Sequence, residues 1–260
     1  MQQGEPASTL TWTDIADLSD AAKMVVRAKI KKQAELRPER APGVAPGYTR
    51  LYIEAETLAL ITGSAPVGES LRYLVDVPLN AKGKAPKLKK SEVVLFARPV
   101  PGRPGEIQLV APDAQLQWTP ALEQRLRPVL AQMAAPTAPP VVVGIRDALS
   151  VAGNLSGESE TQIFLATSNG APVALSVVRR PGSPPAWGVS YSEIVDQAVR
   201  APQPQTLNWY RLACFLPREL PSSAHLSQDR ADRARAENDY RYVLEQLGAC
   251  NRTRMPPPAA

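Results

Sequence analysis

The stretch Gly63-Ser64-Ala65-Pro66-Val67-Gly68-Glu69-Ser70 has the glycine and serine spacing of a phosphate-binding loop, with glutamate in place of its lysine. Such a loop holds phosphate through the amides and dipole of the helix that follows it, and the lysine reaches the outer phosphates. Here Glu69 repels phosphate, Pro66 removes an amide donor, and residues 71–77 read as strand. The stretch is expected to be a turn joining two antiparallel strands.

Other catalytic chemistry is thinly supplied. His225 is the single histidine and lies in the segment PSSAHLSQ. A serine triad needs it as base, yet no G-x-S-x-G elbow presents a nucleophile, and Ser156 in GNLSGES is flanked differently. No metal-ligand spacing links His225 to Cys214 or Cys250, so neither a metal nor a cofactor is expected. Glu54 and Glu56 share one strand face with Asp76 as a candidate neighbour. Paired carboxylates about 5–10 Å apart can hydrolyse glycosides, which makes a carboxylate-dependent hydrolase one alternative.

The strongest positive feature is a run of lysines, Lys82, Lys84, Lys87, Lys89 and Lys90. With Arg72, and with Tyr52 and Tyr73 nearby, these could meet an anionic partner: a protein, an anionic surface, or a nucleic-acid backbone. The solvated alternative is a charged loop that protects a sheet edge. Aromatic residues make up only 5% of the chain, a poor supply for stacking several bases. All nine lysines precede residue 135, whereas the basic residues after it are all arginine, which favours two domains.

Two cysteines allow one connectivity, and a Cys214–Cys250 disulfide is predicted to tie the last helix to the one before it. In the chain-entropy view, closing such a loop stabilises by roughly 3–4 kcal/mol. Disulfides persist in oxidising compartments, so a periplasmic or secreted bacterial protein is expected, as a mature chain after signal-peptide removal. A cytoplasmic protein with two free thiols is the alternative. No continuous apolar run is long enough to span a bilayer as a helix.

The elements that must position these residues are short strands separated by turn signals. Strands are predicted at residues 22–30, 50–61, 71–79, 92–98 and 106–110, with a short sixth at 115–118. Leu51, Ile53 and Ala55 point to one side, and Tyr52, Glu54 and Glu56 to the other. Thr119-Pro120 reads as a helix start, and Pro128 should kink or split that helix. Further on, Asn169-Gly170 signals a hairpin between strands at 161–167 and 173–179. Helices are predicted at 191–200, 206–216 and 227–247. The last should carry i,i+4 pairs Asp229/Arg233, Arg233/Glu237, Arg235/Asp239, Glu237/Arg241 and Arg241/Glu245.

The fold class is therefore α+β and β-rich. Residues 1–20 are expected to be a flexible tail, and 21–134 a small barrel of oligonucleotide/oligosaccharide-binding (OB) type with a terminal helix. A Pro/Ala linker follows at 135–140, then an α+β domain at 141–250 with a β-hairpin and two to three helices, and a flexible tail at 251–260. With no catalytic constellation, the leading expectation is a non-enzymatic two-domain binding or adaptor protein of the bacterial cell envelope. Its partner would be a protein or an anionic surface. The alternatives are a single-stranded nucleic-acid binder using the lysine-rich loop, and the hydrolase.

Overall fold

A computed structural model describes residues 10–63, 67–191 and 200–255. These fall into two compact units, divided at Met133/Ala134 and again at Asn251/Arg252, so the end of the chain belongs to the first unit. The architecture is α+β, built on two antiparallel sheets with four helices among the described residues. None of those helices is long and apolar enough to cross a membrane.

The first unit opens with α1, Trp12–Ala21, where a flexible tail was expected. Thr11 and Asp14 form a reciprocal capping box, and Ile15, Ala16 and Leu18 are fully or almost fully buried. α1 packs against the sheet at β4, Glu92–Pro99, whose Val93–Ala97 run is buried throughout. The other strands are β1 (Met24–Glu35), β2 (Tyr48–Gly63), β3 (Ser70–Pro78), β5 (Ile107–Leu109) and β6 (Gln115–Gln117). The sheet order is β3-β2-β1-β4-β5, with β6 also paired to β4. Along β2, Thr49, Leu51, Ile53 and Ala55 face the core while Arg50, Tyr52 and Glu54 face outward. β2 and β3 are antiparallel neighbours joined through residues 64–69, so the glycine-rich stretch connects two strands.

A closed barrel is not found among the described residues. The outer strands β3 and β5 meet at one isolated parallel bridge, Arg72 to Glu106. Two backbone bonds flank it, from Arg72 N–H to the Gly105 carbonyl at 2.8 Å and from Asp76 N–H to the Pro112 carbonyl at 2.7 Å. Pro104 and Pro112 stand on either side of β5, and each lacks the N–H that a longer ladder needs. Gly105 has φ +79°, and a Cβ there would sit 3.1 Å from the Ser70 carbonyl oxygen, so glycine permits the approach. α2, Pro120–Ala134, runs on through Pro128 instead of splitting there, with Thr119 Oγ1 accepting the Leu122 N–H at 3.0 Å.

The second unit is a four-stranded sheet in the order β10-β9-β8-β7. Its strands are β7 (Val142–Ala152), β8 (Ser159–Thr167), β9 (Val173–Arg179) and β10 (Ala186–Ser190). β7 is a single long strand with register shifts between Val142 and Gly144 and between Ile145 and Asp147. Asn169-Gly170 turns β8 into β9, with Gly170 at φ +75°. The helix expected at 191–200 lies outside the described residues over 192–199. α3, Leu207–Ala213, is capped by Thr206, and α4, Arg230–Leu247, by Asp229. α4 buries Ala236, Asp239, Tyr240, Val243 and Leu247 and packs on β7 and β8. None of the five i,i+4 pairs expected along α4 forms. Asp239 is fully buried instead and accepts from Arg179 Nε at 2.6 Å and from the Thr161 hydroxyl. Cys214, just after α3, is disulfide-bonded to Cys250 beyond α4, with Cα atoms 5.2 Å apart.

Candidate functional site

The first unit holds a cleft of about 730 Å³ where the outward face of β2 and β3 meets the β4–β5 loop and β5. Strand register decides what lines it. Arg50 lies opposite Asp76 and Tyr52 opposite Leu74, and Arg72 lies opposite Glu54, which stands outside the lining. These residues alternate with the buried Leu51, Ile53, Tyr73 and Val75, so the pleat alone turns them outward. Val100, Arg103 and Glu106 of the β4–β5 loop contribute the facing wall.

The charges in the cleft are arranged unequally. Arg50 and Asp76 satisfy each other through two bonds, Nε to Oδ1 at 2.6 Å and NH2 to Oδ2 at 2.8 Å. The Asp76 carboxylate holds the Arg50 guanidinium above its ordinary pKa, so the guanidinium stays charged. Arg72 and Arg103 are held loosely by comparison. Both approach Glu106, at 3.9 and 3.4 Å, with side chains 47% and 70% exposed. Ion pairs of that length and exposure contribute little, so both guanidiniums have N–H donors to offer an incoming anion. Between the Arg50 and Arg72 levels, Tyr52 and Leu74 form an apolar rung. The arrangement can therefore seat an elongated group with an apolar body and at least one carboxylate or phosphate.

The residues singled out in the sequence divide between this cleft and other places. Arg72 and Tyr52 line it. Tyr73 also borders it, but offers no stacking face, because it is 3% exposed and its hydroxyl donates to Gln115 at 2.7 Å; burial pushes its pKa far up. Lys82, Lys84, Lys87, Lys89 and Lys90 are absent from the lining and stand exposed on the β3–β4 loop. Glu54 and Glu56 are each matched to a lysine of β1, Lys32 at 2.8 Å and Lys31 at 2.6 Å. The Lys31 ammonium keeps the Glu56 carboxyl below its usual range, the opposite of what a general acid needs. His225 is buried in the second unit, with Nε2 3.3 Å from Glu237. Among the described residues no three His, Cys, Asp or Glu side chains gather as a metal site.

Sequence reasoning missed Arg103, Glu106 and Leu74. Arg103 sits between Pro101-Gly102 and Pro104-Gly105, a turn signature that conceals its approach to β3. A lone cation at the tip of a rigid loop is the signal that was there to be read. Compared with protein-family models and with curated proteins, the chain matches none.

Proposed function

We propose that this chain is a non-enzymatic two-domain binding or adaptor protein of the bacterial cell envelope. In this reading its first unit holds an elongated anionic segment of a partner in the β2–β3 cleft. The observation that carries it is the pair of loosely held guanidiniums, Arg72 and Arg103, beside the Tyr52–Leu74 rung. The neighbour relations β1–β2–β3, the single β3-to-β5 bridge, and β5–β4–β1 support an OB-like, partly open barrel. OB barrels bind extended ligands on the face of their second and third strands, and the outward face of β2 and β3 lining this cleft supports the same use. The Cys214–Cys250 disulfide supports an oxidising compartment, periplasmic or secreted.

A photo-crosslinking residue placed at position 52 in the native cell tests the proposal. A discrete crosslinked partner that disappears when Arg72 and Arg103 become alanine is the expected outcome. Crosslinks indifferent to both substitutions, or turnover of a small substrate by the purified protein, count against it.

A second reading, a single-stranded nucleic-acid binder, draws on the same juxtaposition, because Tyr52 beside two arginines offers one stacking face and two phosphate contacts. Its mark is steep salt dependence, with the logarithm of affinity falling linearly in the logarithm of salt concentration. A partner segment gripped through the apolar rung as well as its charge loses affinity more gently.

A further inference from the structure

The β3–β4 loop is a second charged surface, and it is built rigidly. Asn80 Oδ1 accepts from Lys82 N–H at 2.9 Å and Lys84 N–H at 3.1 Å, closing a tight turn at its start. Gln33 of β1 then clamps the middle: its Nε2 donates to the Pro86 carbonyl at 2.9 Å, and its Oε1 accepts from Leu88 and Lys89 N–H at 2.6 and 3.2 Å. At the far end Lys90 N–H donates to the Ile30 carbonyl at 2.8 Å. Lys90 has φ +75°, a left-handed backbone that a side chain disfavours and that the surrounding bonds impose.

Five ammonium groups thus stand on a fixed backbone. All five side chains are exposed, and no carboxylate among the described residues lies within ion-pair distance of any of them. The neighbouring Lys31 and Lys32 are both neutralised by glutamates, whereas the five loop lysines are not. Tyr48 stands beside it, 43% exposed, paired with Pro78 where β3 ends. The loop itself contains neither arginine nor an aromatic residue, so it offers no bidentate phosphate fork and no stacking face of its own. Lysine point charges on a rigid platform suit a plane of closely spaced anionic headgroups. An amphipathic tyrosine at their edge suits the headgroup level.

We propose that the β3–β4 loop docks the first unit on an anionic bilayer surface, with Lys82, Lys84, Lys87, Lys89 and Lys90 against the headgroups and Tyr48 at their level. The contact is electrostatic and reversible, and it is independent of the cleft.

Co-sedimentation of the full chain with vesicles tests it. Phosphatidylcholine vesicles containing about 30% phosphatidylglycerol should bind the protein at about 50 mM salt and release it at about 300 mM, whereas pure phosphatidylcholine should not bind. Replacing Lys87, Lys89 and Lys90 together by alanine should lower the partition coefficient at least about tenfold, and replacing them by arginine should preserve it. An Arg72→Ala, Arg103→Ala protein should bind vesicles normally, which separates this surface from the cleft. Undiminished binding by the alanine triple variant overturns the proposal. So does failure to bind anionic vesicles at low salt, or capture by a single-stranded oligonucleotide without capture by vesicles.

Discussion

Thr253 grips Asp14 twice, with its backbone N–H to Oδ1 at 3.0 Å and its hydroxyl to Oδ2 at 2.6 Å, although 239 residues separate the two in sequence. The same carboxylate accepts Thr11 N–H at 2.8 Å and Arg254 N–H at 3.1 Å. Arg252 meanwhile forks onto Asp17 at 2.6 and 3.1 Å. Asp14 therefore completes the cap of α1 and, together with Asp17, pins residues 252–254 to the first unit, where a flexible tail was expected.

Asp14→Ala should lower stability by about 2–3 kcal/mol, because it removes a helix cap and leaves buried N–H groups without an acceptor. Burial pushes the Asp14 pKa up, but hydrogen bonds from Thr253 and Thr11 outweigh it and leave the carboxyl below its ordinary value. A carboxyl with a lowered folded pKa contributes stability that is complete above the unfolded value and is lost as pH falls through the folded one. The wild type should therefore lose this increment below about pH 4, and Asp14→Ala should lack that part of the acid dependence. Denaturant midpoints measured against pH for both proteins check the point.

Cys214 and Cys250 close a loop with a sequence separation of 36. Replacing both by alanine should cost about 3–4 kcal/mol if the chain-entropy contribution is realised in full. Unreduced protein treated with an alkylating reagent should gain no mass, and reduction should lower the unfolding midpoint toward that of the double variant.

Asp239 is the acceptor that joins α4 to its sheet, through Arg179 and Thr161. Asp239→Ala leaves the Arg179 guanidinium beside a buried void and should cost about 3 kcal/mol. Asp239→Asn keeps the shape and one acceptor, so it should cost clearly less. Arg235→Ala tests the sequence-based pairing with Asp239 directly. Arg235 instead pairs with Asp232, three residues away, both side chains being half-buried, so this change should cost about 1 kcal/mol and well under Asp239→Ala.

Local pattern carried much of this fold. Alternation placed Leu51, Ile53 and Ala55 in the core and Tyr52 outside it. Asn169-Gly170 marked a hairpin, and two cysteines left one pairing to consider. Features that depend on distant partners were hidden. The capping box of α1 uses aspartate at a position usually held by glutamate or glutamine, and its other anchor, Thr253, lies at the far end of the chain. Asp239 carries the same helix-surface signature as its charged neighbours until β8 and β9 supply Thr161 and Arg179. The cleft was half visible, since Arg72 and Tyr52 follow from strand alternation. Arg103 and Glu106 required knowing that the β4–β5 loop returns to β3, a contact between residues more than thirty apart in sequence.

Binding in the cleft rests on the two loosely held arginines, Arg72 and Arg103. Its most direct test is the affinity of the segment recovered by crosslinking at position 52, measured by fluorescence anisotropy against wild type, Arg72→Ala, Arg103→Ala and the double variant. Each single substitution should weaken binding by about tenfold, and the double by more, because each removes a charged hydrogen-bond donor from the anion. The Lys87, Lys89 and Lys90 triple alanine variant should bind the segment unchanged. If the double arginine variant keeps wild-type affinity, the cleft is not the binding site.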